Sequence, residues 1–251
     1  MLYGLYLSAS GVMANSHKQD VISNNLANSE TTGFKRDLAL FMERVPESQA
    51  GTRAGNRSDP LLDRIGGGLF VAPSATDTSA GELETTDGPL DVAVMGNGYF
   101  HVQRGGQNYL TRDGKLMADR EGNLIQSATG ARVLDVDGKP IVVNPGVKVT
   151  ISNDGSVVQN GEPIGKLGLR EVTDIRQLMK VGGNLFQVAG NATKAADLEV
   201  RSGMLERANV DPARELAALM DTQRELEANA NMIRYQDQTL GRLVNEVGKI
   251  G

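Results

Sequence analysis

The stretch from Asn209 to Ile250, NVDPARELAALMDTQRELEANANMIRYQDQTLGRLVNEVGKI, decides the fold. Leu219, Leu226, Ile233, Leu240 and Val247 recur at every seventh position, the repeat of a supercoiled helix. The companion seam positions are read as Leu216, Gln223, Ala230, Asp237 and Val244, a mixed set. Asp211 is placed to cap the helix, Pro212 suits its first position, and Glu215 complements the positive end of the helix dipole. Gly241 interrupts the interior at a cost of about 1 kcal/mol relative to alanine, and is expected to mark a bend or a close approach. At 1.5 Å per residue the helix runs for roughly 55 Å, more than one small globule can cover. It needs partners.

The other end of the chain offers the first. Leu2, Leu5, Tyr6, Ala9, Val12 and Met13 share one helical face, and Leu5, Val12, Gln19 and Leu26 echo the seven-residue series. Two helices with narrow apolar seams and no core of their own can hide those seams only against each other or against other molecules. A helical hairpin capping a monomer, a homodimeric coiled coil and a multi-subunit assembly all satisfy that requirement.

Between the helices the rhythm changes. Asn24, Asn25 and Asn28 read as a helix end and turn, with Gly33 free to take positive φ. Phe34, Leu38, Phe41, Met42 and Val45 then give a second short helical stripe, stopped by Pro46, and residues 46 to 68 read as a loop or extended hairpin. From about Leu69 to Val188 short β-branched runs alternate with turn dipeptides, among them Asn97-Gly98, Asp113-Gly114, Asp137-Gly138, Asp154-Gly155 and Asn160-Gly161. Strands are expected at 90–95, 99–103, 109–112, 115–118, 123–125, 131–134, 140–143, 147–151, 156–158, 166–171 and 185–188, with a short helix at 173–179. The expected architecture is α+β: N- and C-terminal coiled-coil helices enclosing an inserted antiparallel β domain. Residues 1–35 with 209–251 form the helical axial core, 36–85 with 189–208 a connecting region, and 86–188 the β domain.

Composition narrows the function. The 251 residues carry 30 glycines, no tryptophan, no cysteine and a net charge of −5. No basic block marks a nucleic-acid footprint, and no thiolate is present for disulfides, metal or nucleophilic chemistry. The uncharged first sixteen residues lack a basic n-region and are interrupted by Gly4, Ser8, Ser10, Gly11 and Asn15, so no conventional signal peptide is read there, and no segment reaches the roughly 18 apolar residues of a membrane span. His17 and His101 have no carboxylate or second histidine at ligand spacing. The glycine clusters at 66–68 and 96–98 lack the setting of a phosphate cradle, and Asp135-Val136-Asp137-Gly138 lacks the remaining ligands of a calcium loop. Asn56-Arg57-Ser58 and Asn191-Ala192-Thr193 fit only the short glycosylation pattern. No nucleophile, base and orienter can be assembled, so the sequence is read as non-enzymatic, without cofactor, metal or small-molecule substrate.

Four stretches carry a resemblance. Asn24-Asn25-Leu26-Ala27-Asn28 with Thr32-Gly33-Phe34-Lys35-Arg36 looks like the N-terminal motif of the bacterial flagellar rod and hook protein family. Pro89-Leu90-Asp91-Val92-Ala93-Val94 with Gly98-Tyr99-Phe100 is similar to a second family stretch, and Tyr109 to Gly114 with Gly122-Asn123-Leu124 to a third. Gly203-Met204-Leu205-Glu206 through Asn209, Val210, Glu215, Arg224 and Asn229 resembles the fourth. The length, the Gly203 to Asn209 stretch and the Pro163 to Leu167 segment resemble a proximal-rod member most, with a distal-rod member as the alternative.

The resemblance implies a structural subunit of the basal body, exported through the flagellar type III apparatus without a cleaved signal. Its partners would be copies of itself and other rod proteins, with no nucleic acid and no membrane insertion. It implies further that the terminal helices line a tube, with the β domain outside. Leu5, Val12, Leu26, Leu216, Leu219, Leu226, Ile233, Leu240 and Val247 are then the expected subunit interface, and Asn24 to Asn28 with Gly33 to Lys35 the turn leaving the helical core. Two other classes are weighed against it. A secreted β-domain binding module would merely dimerise through its helices, and a hydrolase would use acids such as Asp87 and Asp91.

Overall fold

The computed structural model describes residues 2–43, 68–86, 88–144, 146–188, 193–194 and 198–247. The loop or hairpin expected at 46 to 68 lies outside the described residues apart from Gly68, as do Val45, Asp87, the Asn56 and Asn191 motifs and the side chain of Val247. The chain is α+β, with a helix at each end and a β-rich middle. It forms two compact units, one of residues 1–27, 37–75 and 211–251, the other of 28–36 and 76–210. The boundaries expected from sequence therefore shift. Among the described residues, 28–35 fall in the β unit, and 37–43 and 68–75 fall with the helices.

The helical unit holds α1 (Leu2–Ala27), the two-stranded ribbon β1 (Asp37–Glu43) and β2 (Leu69–Thr76), and α2 (Pro212–Val247). Asp211 caps α2 as its position led us to expect, accepting from Ala213 N at 3.0 Å and Arg214 N at 3.3 Å. The helices lie antiparallel, because contacts descend one as they climb the other. A methyl placed on Gly4 would lie 2.8 Å from Gln236 Nε2, one on Gly11 would lie 2.8 Å from Asn229 Nδ2, and Lys18 Nζ sits 3.6 Å from Glu225 Oε2. The ribbon also meets α1: His17 stands edge-on to Phe41, with ring centroids 6.3 Å apart.

Residues 37–43 are a strand, which corrects the helical stripe read from Phe34 to Val45. Along β1 the exposed Leu40 and Met42 alternate with the half-buried Ala39 and Phe41, a period of two. Phe34 belongs to the other unit, so its spacing to Leu38 and Phe41 carried no helical information.

The β unit contains β3 (Leu83–Thr85), β4 (Val92–Val94), β5 (Gly98–Arg104), β6 (Gln107–Thr111), β7 (Leu116–Ala118), β8 (Leu124–Gln126), β9 (Arg132–Val133), β10 (Val149–Ile151), β11 (Ser156–Gln159), β12 (Glu162–Lys166), β13 (Leu169–Glu171), β14 (Leu178–Gly182), β15 (Leu185–Val188), β16 (Thr193–Lys194), β17 (Val200–Ser202) and β18 (Met204–Glu206). The main sheet runs β14-β15-β6-β5-β9-β8-β7, with β13 also on β5. A three-stranded sheet β10-β11-β12 and the pairs β17-β4 and β18-β3 complete it. All these pairs are antiparallel, and Phe100, Val102, Leu124, Val133, Val157 and Leu167 form a shared core closed to solvent.

The turn signals divide. Asp154-Gly155 and Asn160-Gly161 join paired strands, the latter with both residues at positive φ as a primed turn requires. Asn97-Gly98 and Asp113-Gly114 instead link strands that are not neighbours, and the β5–β6 hairpin turns on Gly105-Gly106. The strand expected at 140–143 is reduced to isolated bridges at Pro140 and Val142, and the helix at 173–179 to one 3₁₀ turn, Ile175–Gln177, capped by Asp174.

Candidate functional site

On α2, Leu219, Leu226, Ile233 and Leu240 are all half-buried, while Leu216 is 50% and Val244 71% exposed. The companions of the leucine series are therefore one residue earlier than read. They are Glu215 and Thr222, both closed to solvent, and then Asn229 and Gln236, which face Gly11 and Gly4. Apolar spacing alone cannot choose between companions three or four residues away. The glycines of α1 decide it, because only there is room for a carboxamide. Leu5, Val12 and Leu26 on α1 are half-buried, one step along the helix from that glycine series. Leu216, Met220, Met232 and Tyr235 along α2, and Leu243 and Val244 near its end, stay in solvent. Gly241 meets nothing within 4 Å and the helix runs through it, so neither a close approach nor an interruption is found there.

At the end of α1, Asn24 and Ala27 are exposed and Asn28 is half-buried. Asn25 is closed to solvent, donating from Nδ2 to Asp37 O at 2.8 Å and accepting from Asp37 N at 2.9 Å. That reciprocal pair ties the last turn of the helix to the first residue of β1.

Gly33, Phe34, Lys35 and Asn209 converge inside the β unit. Gly33 has φ +64°, and a methyl there would lie 2.5 Å from Arg112 C and Asp113 N, so only glycine passes. Its N–H donates to Glu206 O at 2.7 Å. Lys35, wholly buried, donates from Nζ to Glu206 Oε1 and Ser79 O, each at 2.6 Å. Burial pushes its ammonium pKa down, and the Glu206 carboxylate opposes that shift. Glu206 Oε1 also accepts from Gly81 N at 2.9 Å, and Oε2 lies 3.3 Å from Arg112 Nη1. Arg112 donates to the carbonyls of Val94 and Gly96 and rests 4.9 Å from the centre of the Tyr99 ring.

Asn209 closes the arrangement. Its Oδ1 accepts from Arg36 N at 2.7 Å and its Nδ2 donates to Asp77 O at 2.9 Å. Residues from each of the four stretches singled out in the sequence thus meet within one unit, around a carboxylate shared by two cations, while Asn24 to Ala27, Glu215, Arg224 and Asn229 lie in the helical unit. Arg112, Glu206, Ser79, Lys180 and Asn184 complete that cluster, and spacing gave no sign that residues so far apart would touch. Val210 is half-buried, and Arg224 is exposed on α2, 3.7 Å from Asp221. Among the described residues no group of acids and histidines is arranged to hold a metal, and no helix is long and apolar enough to cross a membrane.

Three family models match the chain in order: "Flagella basal body rod protein" at residues 5–35, "Flagellar hook protein FlgE/F/G D1 domain" at 93–159 and "Flagellar basal body rod FlgEFG protein C-terminal" at 201–246. The chain is 34% identical to the flagellar basal-body rod protein FlgF of Caulobacter vibrioides over 250 residues, covering 98% of each. It is 33% identical to FlgG of the same organism over 95% of this chain and 97% of the relative, and 31% identical to FlgG of Bacillus subtilis over 98% and 99%. Identity of 34% over 98% of both chains makes this chain a member of the flagellar basal-body rod protein family.

Proposed function

We propose that the chain is a structural subunit of the proximal rod, polymerising through its terminal helices with copies of itself and with other rod proteins into the axial drive shaft. The observation that carries the reading is the unequal covering of α2. One face lies against α1, while Leu216, Met220, Met232, Tyr235, Leu243 and Val244 remain in water on a helix of 36 residues. Helices packed in a bundle bury such residues against neighbours, and a repeated contact that does not close on itself yields an open filament. Leu5, Val12, Leu26, Leu216, Leu219, Leu226, Ile233, Leu240 and Val247 are the proposed packing set, supercoiled with helices of adjacent subunits. The function is mechanical, the passage of torque along the helices, and the site is the basal body, reached through the flagellar type III apparatus.

The proximal position is favoured by length. The alignment to FlgF runs over 250 residues, whereas those to the two FlgG proteins run over 267 and 264, beyond the 251 of this chain. The near-equal identities keep a distal-rod subunit as the second reading. Imaging basal bodies from cells lacking the protein tests both. A rod ending at its base supports the proximal position, a rod ending further out supports the distal one, and an unaltered rod rejects the assignment.

A further inference from the structure

Residues 28–36 leave the helical unit as a short strap, and the β unit holds that strap as a receptor holds a peptide. From Thr32 to Arg36 the backbone and side chains are matched by residues 77 to 209. Asn184 Nδ2 donates to Thr32 O at 2.9 Å, and Thr32 Oγ1 donates to Asp113 Oδ1 at 2.6 Å. Lys180 Nζ donates to Lys35 O at 2.8 Å and stands 3.8 Å from the centre of the Phe34 ring, which is itself buried. Asn209 N donates to Phe34 O at 3.3 Å, and Asp77 N to Arg36 O at 2.8 Å. With the Lys35 and Gly33 contacts to Glu206, each of the five residues has its own recognition. That is the pattern of a specific extended-peptide site, in which main-chain bonds give affinity and side-chain pockets give selectivity.

We infer that the β unit contains a peptide-binding groove, built by Ser79, Arg112, Lys180, Asn184, Glu206 and Asn209, whose ligand is the sequence Thr-Gly-Phe-Lys-Arg. The covalent strap is its resident ligand. The same sequence on a separate molecule binds there when the resident one is displaced. Selectivity comes from three requirements: a glycine where φ is positive and the Arg112 backbone leaves no room, an aromatic ring for Lys180 to cover, and an ammonium group for Glu206. The inference does not depend on polymerisation.

The test uses the full chain with Gly33→Val, whose own strap cannot seat, and a fluorescein-labelled peptide with the sequence of residues 29–38. Fluorescence anisotropy should show saturable binding to the variant and at least about tenfold weaker binding to the unaltered chain, whose groove is filled. A peptide carrying Lys35→Glu should bind at least about tenfold more weakly than the native one. Equal binding to both chains, or indifference to the lysine, overturns the inference, as does absence of binding to a variant that still unfolds cooperatively. Should Gly33→Val abolish cooperative unfolding, a second form with protease sites flanking the strap decides. After cleavage on both sides the strap must co-elute with the rest of the chain in gel filtration, and its loss overturns the groove.

Discussion

Glu206 Oε1 lies 2.6 Å from Lys35 Nζ, with neither side chain reaching solvent, and the same carboxylate faces Arg112 through its other oxygen. Two buried cations thus depend on one anion. Removing the anion leaves both unpaired, while removing Lys35 leaves Glu206 and Arg112 to each other. Glu206→Gln should therefore destabilise the β unit by about 3–5 kcal/mol, and Lys35→Met by less. Urea unfolding followed by circular dichroism ranks the two, and an equal or reversed order contradicts the shared-carboxylate account.

Gly33 and Gly105 both adopt positive φ, at +64° and +59°, but only Gly33 has backbone against it. Alanine at Gly105 should cost about 1–2 kcal/mol, the left-handed penalty alone. At Gly33 the same change adds the overlap with Arg112 and Asp113, and the loss should be clearly larger. Thermal unfolding of the two variants separates conformation from contact.

Gly241 sits in open space on α2, so alanine there should stabilise the isolated chain by up to about 1 kcal/mol through helix propensity. A more helical monomer that no longer assembles would place a neighbouring subunit against that glycine. Normal assembly would leave the position open to solvent in the rod as well.

Acid should weaken the β unit in a defined direction. Asp77 is held below the usual carboxylate range by the Ser79 N–H, and Asp119 and Asp154 by hydrogen bonds from the Asn123 and Ser156 side chains, joined by backbone N–H groups of the same turns. A depressed folded-state pKa means that the unfolded chain binds protons first as pH falls. The stability these groups supply is complete above their unfolded pKa of about 3.9 and is lost as pH falls through the lower folded values. Urea midpoints between neutral pH and pH 2.5 should drop more steeply for the unaltered chain than for an Asp77→Asn, Asp119→Asn, Asp154→Asn variant.

The helices were legible because their signals are local. Asp211 caps where a cap is expected, and the series from Leu219 to Leu240 is half-buried along its length. The companion seam was not legible, since Glu215 and Thr222 carry no apolar signal whereas the neighbouring Leu216 does. Their burial is set by what α1 places opposite. The same limit applies to β1, where Phe34 mimics helical spacing while lying buried in the other unit. In the motif cluster the residue types of Gly33, Lys35 and Asn209 were visible, but their partners were not. Positive φ at Gly33 could be anticipated from its turn, whereas the joining of Lys35, Arg112 and Glu206 is a property of the tertiary path.

That path has a temporal side. Lys35 and Glu206 are separated by 171 positions. A chain delivered from its amino end presents the lysine early and its carboxylate only after 206 of 251 residues have appeared. Until then the lysine must stay hydrated, and the unit around it has no low-energy way to finish folding. A half-delivered molecule is thus kept loose by its own charge arrangement, and maturation waits on arrival of the final fifth.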